Sequence, residues 1–154
     1  MSITLLKDVL IAKGQLDKYF DGNVPLNLWR GMNIKKNKGI FEIEEQGFIL
    51  SSGRPRPADI TIERKNGIKW VFVKQRPRGI STFDKPGVPS GKDWRYFKIP
   101  KGTVLPEGLA IVKDEFNNYY GAVHYSIAPA HDMPLEQFKM LLRKLESSIR
   151  KEAM

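Results

Sequence analysis

Apolar residues near the start of the chain recur at the spacing of an α-helix. Ser2 is placed to cap this segment, and the turn-forming run Asp21-Gly22-Asn23 is placed to end it. The spacing therefore predicts a helix over about 3–19. The apolar positions that carry the pattern are Leu5, Leu6, Val9, Leu10, Leu16 and Phe20.

Alternation of apolar and polar residues through the middle of the chain predicts β-strands. A hairpin is the clearest case, because Ile60 and Ile62 alternate with polar residues and an Asn66-Gly67 turn leads into a second alternating run over 70–75. Residues 84–93 are rich in proline and glycine and predict a loop. The other predicted strands cover 24–32, a short stretch near 39–43, 94–100, 109–116 and 122–130.

A second helix is predicted from about residue 134 to the end of the chain. Pro134 suits a first helical position, and one face of the helix carries an apolar stripe. Because most connections are too short for crossovers, we expect antiparallel pairing in a single α+β domain over residues 1–154. The stripe consists of Leu135, Phe138, Leu141, Leu142, Leu145 and Ile149.

The composition of the chain limits the kinds of active site and partner that it can have. The chain has 154 residues, no cysteine and a formal net charge of +9, so thiolate catalysis and disulfides are excluded and an anionic partner is expected. Its two histidines make a histidine-rich metal site improbable, and no metal site is predicted. The N-terminal apolar stretch contains Lys7 and Lys13, so we expect neither a secretory signal nor membrane insertion. Synthesis in the cytoplasm follows, with any export by a route that needs no such signal.

Arg30 and the run 81–83 are the first candidates for a binding site. Arg30 follows Trp29 on a predicted strand and precedes the flexible Gly31, which suits an anionic ligand, although a surface arginine fits equally well. Ser81 and Thr82 offer hydroxyl groups to a ligand or to the local backbone. Phe83 beside them is a core residue or the wall of a pocket.

His124 is the more informative histidine. Alternation places its side chain on the same strand face as Ser126. There it is either a structural hydrogen-bonding group or a catalytic acid or base. Asp114 and Glu115 offer carboxylates, but successive strand residues face opposite ways and cannot form a dyad.

Basic and aromatic residues interleave over 65–78 and 92–98. A sheet that stacks nucleic-acid bases and neutralises phosphates has this pattern. A nucleic-acid-directed protein is therefore an open alternative at this point.

Four segments in order resemble a known toxin family. They are LNLWRG (26–31), RPADI with NGI and GISTFDKPGV (56–88), YFKIPKGTVLPEGL (96–109), and DEFNNYYGAVHYSIAPAHDMPLEQFKMLL (114–142). In this order they resemble the type VI secretion exported effector two family, which has an ADP-ribosyltransferase-like fold. The resemblance covers roughly residues 26–150 and leaves residues 1–22 as an N-terminal helical extension.

The resemblance implies a split, mostly antiparallel β-sheet fold of the ADP-ribosyltransferase-toxin type that uses NAD, either as an ADP-ribosyltransferase that modifies a target or as an NAD glycohydrolase. By position it implies that Arg30 anchors the phosphates of NAD, with Gly31 beside it, and that Ser81 and Thr82 shape the nicotinamide pocket, with Phe83 as its wall. His124 becomes the polar catalytic group, together with Arg30 and Ser81.

One departure from the family pattern concerns two acids. Trp94 and Tyr96 lie where such transferases carry a Glu-x-Glu pair. This departure keeps open a toxin of the same fold that acts on nucleic acid, or a nucleic-acid-binding module without catalysis.

The resemblance also implies partners and a place of action. Export through the type VI machinery and action in the cytoplasm of a competing bacterium are expected, on a target that the sequence does not identify. A toxin that can act on its own producer needs a neutralising partner, so we expect a cognate acidic immunity protein, whose association the net charge would accelerate.

Overall fold

The computed structural model describes residues 3–36, 39–49, 52–53, 55–56, 58–73 and 77–152. It confirms an α+β fold of mostly antiparallel sheets. The return strand of the predicted hairpin is seen as far as Val71, and residues 74–76 lie outside the described part. The helices and strands are α1 (Leu6–Ala12), β1 (Tyr19–Phe20), β2 (Leu28–Asn33), β3 (Phe48–Ile49), β4 (Pro55–Arg56), β5 (Ile62–Lys65), β6 (Ile68–Val71), β7 (Ile80–Phe83), β8 (Trp94–Ile99), β9 (Leu109–Asn117), β10 (Ala122–Pro129), β11 (Met133–Pro134) and α2 (Leu135–Glu152).

A six-stranded antiparallel sheet forms the centre of the molecule, in the order β1-β9-β10-β7-β2-β8. Its register pairs Ser81 with Ser126 and Phe83 with His124 across β7 and β10. Phe83 also pairs with Trp29 of β2 on its other side. Residues that pair across an antiparallel sheet share a face, so this register decides which side chains can meet.

We call the two sides of this sheet the core face and the outer face. The core face carries Leu28, Ile80 and Ile127, which belong to the main hydrophobic core together with Phe138 of α2. The outer face carries side chains of the opposite strand parity: Trp29, Ser81, Phe83, His124 and Ser126.

A smaller three-stranded sheet in the order β11-β6-β5 lies against the main core. Its hairpin turn has positive φ at both central residues, 54° at Asn66 and 78° at Gly67. The turn that the sequence predicts is therefore confirmed, because such turns match the twist of the strands that they join. A further two-stranded sheet pairs β3 with β4.

The N-terminal helix is shorter than the apolar pattern predicts. α1 ends at Ala12, and Gly14, at a φ of 67°, takes the left-handed conformation that stops a helix. A 3-10 turn over Leu16–Lys18 follows, and β1 then pairs with β9. The apolar residues after α1 thus serve a strand edge, and the extension proposed for 1–22 stays a prediction.

Helix α1 covers one end of the outer face. Its fully buried Leu6 and Leu10 pack with Ala110, Val112 and Ala128 in a second hydrophobic cluster. The rest of the outer face, around His124, lies beyond this cluster.

The strand predicted near 39–43 is wrong. Ile40, Phe41 and Ile43 are buried in the main core, but the backbone there is a turn followed by irregular structure. An apolar run in a loop that covers a core has the same sequence pattern as a buried strand.

Within the described residues, no helix is long and apolar enough to cross a membrane.

Candidate active site

Three polar side chains of β9 and β10 form a hydrogen-bonded group on the outer face. Oδ2 of Asp114 lies 2.7 Å from Nδ1 of His124, and it accepts a hydrogen bond from the Ser126 hydroxyl at 2.6 Å. The side chain of Asp114 is 5% exposed and that of His124 28% exposed. A buried carboxylate thus contacts a half-buried imidazole from below.

The register of β9 and β10 contains an irregularity at this group. Tyr125 pairs with Lys113, whereas Val123 pairs with Phe116, so two residues of β9 lie opposite His124. Asp114 turns inward and Glu115 is exposed. Such bulges redirect side chains and occur next to active sites.

Asp114 is not among the site residues predicted from the sequence, where alternation excludes only a dyad with Glu115. The two carboxylates do face opposite ways, as alternation requires. A signal for the right partner was present, however. The strand begins with four apolar residues, 109–112, and alternation places Asp114 on the same face as Val112, beyond Lys113. A buried acid in such a position needs a hydrogen-bonding partner on a neighbouring strand.

Arg78 brings a buried positive charge to the same group. Its Nε lies 4.0 Å from Oδ1 of Asp114, and the two side chains are 6% and 5% exposed. A guanidinium so close favours the ionised form of the carboxylate. Asp114 therefore lies between a buried cation and the imidazole.

Ser81 and Phe83 lie beside this group on the neighbouring strand. The Phe83 ring meets the His124 ring edge to face, with centroids 5.2 Å apart, and meets the Tyr120 ring at 5.9 Å. Ser81 is half-buried and pairs with Ser126. Three of the predicted site residues, Ser81, Phe83 and His124, are thus brought together.

Thr82 differs from its two neighbours on β7, Ser81 and Phe83, and its predicted role in the nicotinamide pocket stays a prediction. Its side chain is fully buried, and its hydroxyl donates to the main-chain oxygen of Tyr125 at 2.9 Å. The alternation of β7 turns it away from the outer face, so a ligand there has no access to the Thr82 hydroxyl.

Gly31 is also occupied by the protein itself. A Cβ added there would lie 3.0 Å from the main-chain oxygen of Val88, 3.1 Å from Pro89 and 3.3 Å from the Trp94 ring. The loop 84–93 therefore packs directly on Gly31. This glycine permits close packing of the loop, and a ligand would have to displace the loop to contact it.

The structure places Arg30 on the face of the sheet opposite to Ser81, Phe83 and His124. Its strand parity is that of Leu28, so its side chain leaves from the core face. Nε donates to the Ile40 carbonyl at 2.9 Å, and Nη1 donates to the Ser81 carbonyl at 3.0 Å. Arg30 reaches the Ser81 backbone from the side opposite to the Ser81 hydroxyl.

Trp94 and Tyr96 have structural contacts. Trp94 packs over Gly31, and the Tyr96 hydroxyl donates to the Pro89 carbonyl. Both residues hold the loop 84–93 on the sheet. The buried carboxylate of the outer face comes instead from Asp114, on a strand at the other side of His124.

The chain thus combines antiparallel sheets and flanking helices with a polar and aromatic group on one open sheet face, an architecture that fits the class of ADP-ribosyltransferase-fold toxins shown by the following comparisons. The family model described as the Tse2 ADP-ribosyltransferase toxin matches residues 7–154. Toxin Tse2 of Pseudomonas aeruginosa is 38% identical over 157 residues, which cover 97% of this chain and 87% of that protein. The chain belongs to the Tse2 ADP-ribosyltransferase toxin family. The resemblance drawn from the four sequence segments is confirmed, and so is the prediction of a toxin with this fold.

Proposed function

We propose that the protein is an antibacterial effector of the type VI secretion system that takes ADP-ribose from NAD, with the reaction at the outer face around His124. The register that pairs Ser81 with Ser126 and Phe83 with His124 carries this proposal. It collects hydroxyl groups, an aromatic wall and an acid–base group on one sheet face. Membership of the family supports the use of NAD in general.

The outer face offers the groups that NAD requires. Phe83 and Trp29 are half-buried neighbours across β7 and β2 and provide ring surface. The exposed Lys98 pairs with Trp29 on β8. Nζ of Lys85 lies 3.4 Å from the point that a Cβ on Gly121 would occupy. Gly121 is three residues before His124. These two ammonium groups suit the diphosphate.

NAD supplies a glycosidic bond that breaks as nicotinamide leaves and ADP-ribose passes to a nucleophile. The nucleophile, an acceptor group or water, must lose a proton during the transfer. We propose that the imidazole of His124 accepts this proton, since this ring lies on the open face and can act as a base. The Ser81 hydroxyl orients the substrate beside it.

We propose that Arg30 supports this site from behind. Its guanidinium joins the Ile40 segment to the Ser81 backbone. The phosphate contact predicted from the sequence stays a prediction.

A cognate acidic immunity protein and export by the type VI machinery form part of the same proposal. The net charge of +9 favours rapid association with an acidic partner. We propose action in the cytoplasm of the recipient cell, where NAD is plentiful, on a target that is still to be identified.

The test is NAD consumption, together with transfer of labelled ADP-ribose in a bacterial lysate. His124→Asn and Ser81→Ala should each lower turnover by at least about 100-fold. His131→Asn is the matched control for His124, since its Nδ1 contacts the Asp132 carbonyl and its backbone pairs with Leu5. Ser147→Ala, at an exposed position of α2, controls for Ser81. Wild-type turnover in both site variants would refute the proposal.

The nucleic-acid alternative makes a different prediction. Binding to RNA or DNA would fall steeply with salt, and NAD would not be consumed. One basic–aromatic pair of the interleaved pattern is internal to the protein, because Lys65 Nζ lies 4.6 Å from the centre of the Trp70 ring. This contact explains part of the pattern without a nucleic acid.

A further inference from the structure

We infer that Asp114 is a positioning residue that holds the His124 ring with its proton on Nδ1 and presents Nε2 to the substrate. The inference rests on the proposed function, in which His124 accepts a proton. It adds a residue on another strand, to which the resemblance assigned no role.

Hydrogen-bond chemistry decides the proton position. An ionised carboxylate can only accept hydrogen bonds, so the nitrogen that contacts it must carry the hydrogen. Nδ1 of His124 lies 2.7 Å from Oδ2 of Asp114. In the neutral ring, Nε2 is then the nitrogen with the free electron pair, as a proton acceptor requires.

Two neighbours hold the carboxylate in place. The Ser126 hydroxyl donates to the same Oδ2 at 2.6 Å, and Arg78 lies 4.0 Å from Oδ1. Because all three side chains are buried, the carboxylate has little freedom to turn. The imidazole therefore meets a fixed acceptor.

The other edge of the ring is open to a ligand. Nε2 has no hydrogen-bond partner within the part of the chain that the structure describes. Phe83 packs edge to face against the ring and limits its rotation. His124 is thus held from below by Asp114 and from the side by Phe83.

The direct test is the ¹⁵N spectrum of the histidine rings in the free wild-type protein at about pH 8.5, where an ordinary imidazole is neutral. The chain has only two histidines, and His131→Asn assigns the signals. We expect the His124 proton on Nδ1. A proton on Nε2 would overturn the inference, and this measurement needs no variant of Asp114.

Asp114→Asn provides the functional test. The amide can donate to Nδ1, so we expect the ring proton to move to Nε2. Turnover of NAD should then fall by about 100-fold or more, while the KM for NAD changes by less than about threefold. Wild-type turnover in this variant would overturn the inference.

Asp132→Asn is the matched control. Asp132 is another buried aspartate, whose two oxygens accept from the main-chain N–H groups of Thr4 and Val73. Its replacement should lower stability and leave the His124 proton and the turnover unchanged. An equal loss of turnover in both variants would show that the replacement of any buried aspartate lowers activity. That result would also overturn the inference.

His124→Asn separates the two proposals. If this variant consumes NAD at the wild-type rate, the proposed role of His124 fails. If it is inactive while Asp114→Asn keeps full turnover, only the inference about Asp114 fails.

Discussion

Arg30 and Ser81 are joined through the six-stranded sheet: the Arg30 guanidinium, on the core face, donates to the main-chain oxygen of Ser81 at 3.0 Å. The Ser81 hydroxyl leaves on the other side, toward Ser126. Strand β7 thus connects the Arg30 guanidinium, on one face of the sheet, to the Ser81 hydroxyl, a candidate substrate contact on the other.

Arg30→Ala should lower the free energy of unfolding by about 2–4 kcal/mol, because two carbonyl groups lose a charged donor. We expect lower turnover and an unchanged KM for NAD. Chemical denaturation and steady-state kinetics measure the two effects. Arg95→Ala is the control, since Arg95 donates to the carbonyls of Lys92 and Trp94 at an exposed position. A raised KM at unchanged stability would instead support the phosphate contact.

Gly79→Ala should prevent folding or lower stability by more than about 3 kcal/mol. A Cβ at this position would lie 2.0 Å from the main-chain oxygen of Ile127, so β7 and β10 would have to separate next to Ser81. Thermal unfolding followed by circular dichroism measures the loss. Gly39→Ala, whose Cβ would meet its nearest atom at 3.6 Å, should have a much smaller effect. Equal stability of the two variants would contradict the close contact between β7 and β10 at Gly79.

Phe83→Leu should raise the KM for NAD about tenfold. The substitution keeps an apolar side chain but removes the ring, and an aromatic contact contributes about 0.5–1.5 kcal/mol. Initial rates over a range of NAD concentrations give the KM. Tyr119→Leu is the control, because this aromatic residue is 88% exposed at the nearby hairpin turn. A KM that changes only in the Tyr119 variant would place the ring-binding surface elsewhere.

Glu45→Gln should destabilise the protein at neutral pH and have a smaller effect at about pH 3. The hydrogen bond from Lys139 lowers the pKa of Glu45, with a further contribution from Lys69. Since the folded pKa lies below the unfolded one, the stabilisation is complete above about pH 5 and is lost as the pH falls through the folded value.

Thermal unfolding of wild type and Glu45→Gln at both pH values measures this effect, which we expect to be at most about 1 kcal/mol. Glu136→Gln is the control, because Glu136 is 80% exposed and lies 3.9 Å from the same lysine. A difference between wild type and Glu45→Gln that is as large at pH 3 as at neutral pH would show that the charge of Glu45 is not its cause.

The sequence predicted correctly those elements that depend only on neighbouring residues along the chain. The Asn66-Gly67 turn and the apolar stripe of α2 depend on backbone preference and helical period, and both are seen in the structure. The predictions failed for 39–43 and for the length of α1. There, apolar residues cover a core or form a strand edge without the regular element that their spacing suggests.

The sequence by itself determined the family, the fold class and a short set of polar candidates, because ordered motifs and periodicity can be read along one chain. The tertiary structure alone decided which candidates meet. Strand register brought Ser81 and Phe83 to His124, turned Thr82 and Arg30 to the other face, and placed Asp114 under the imidazole. The physical reason is that a side chain's face depends on the pairing of its strand with strands distant in sequence, and no local pattern encodes that pairing.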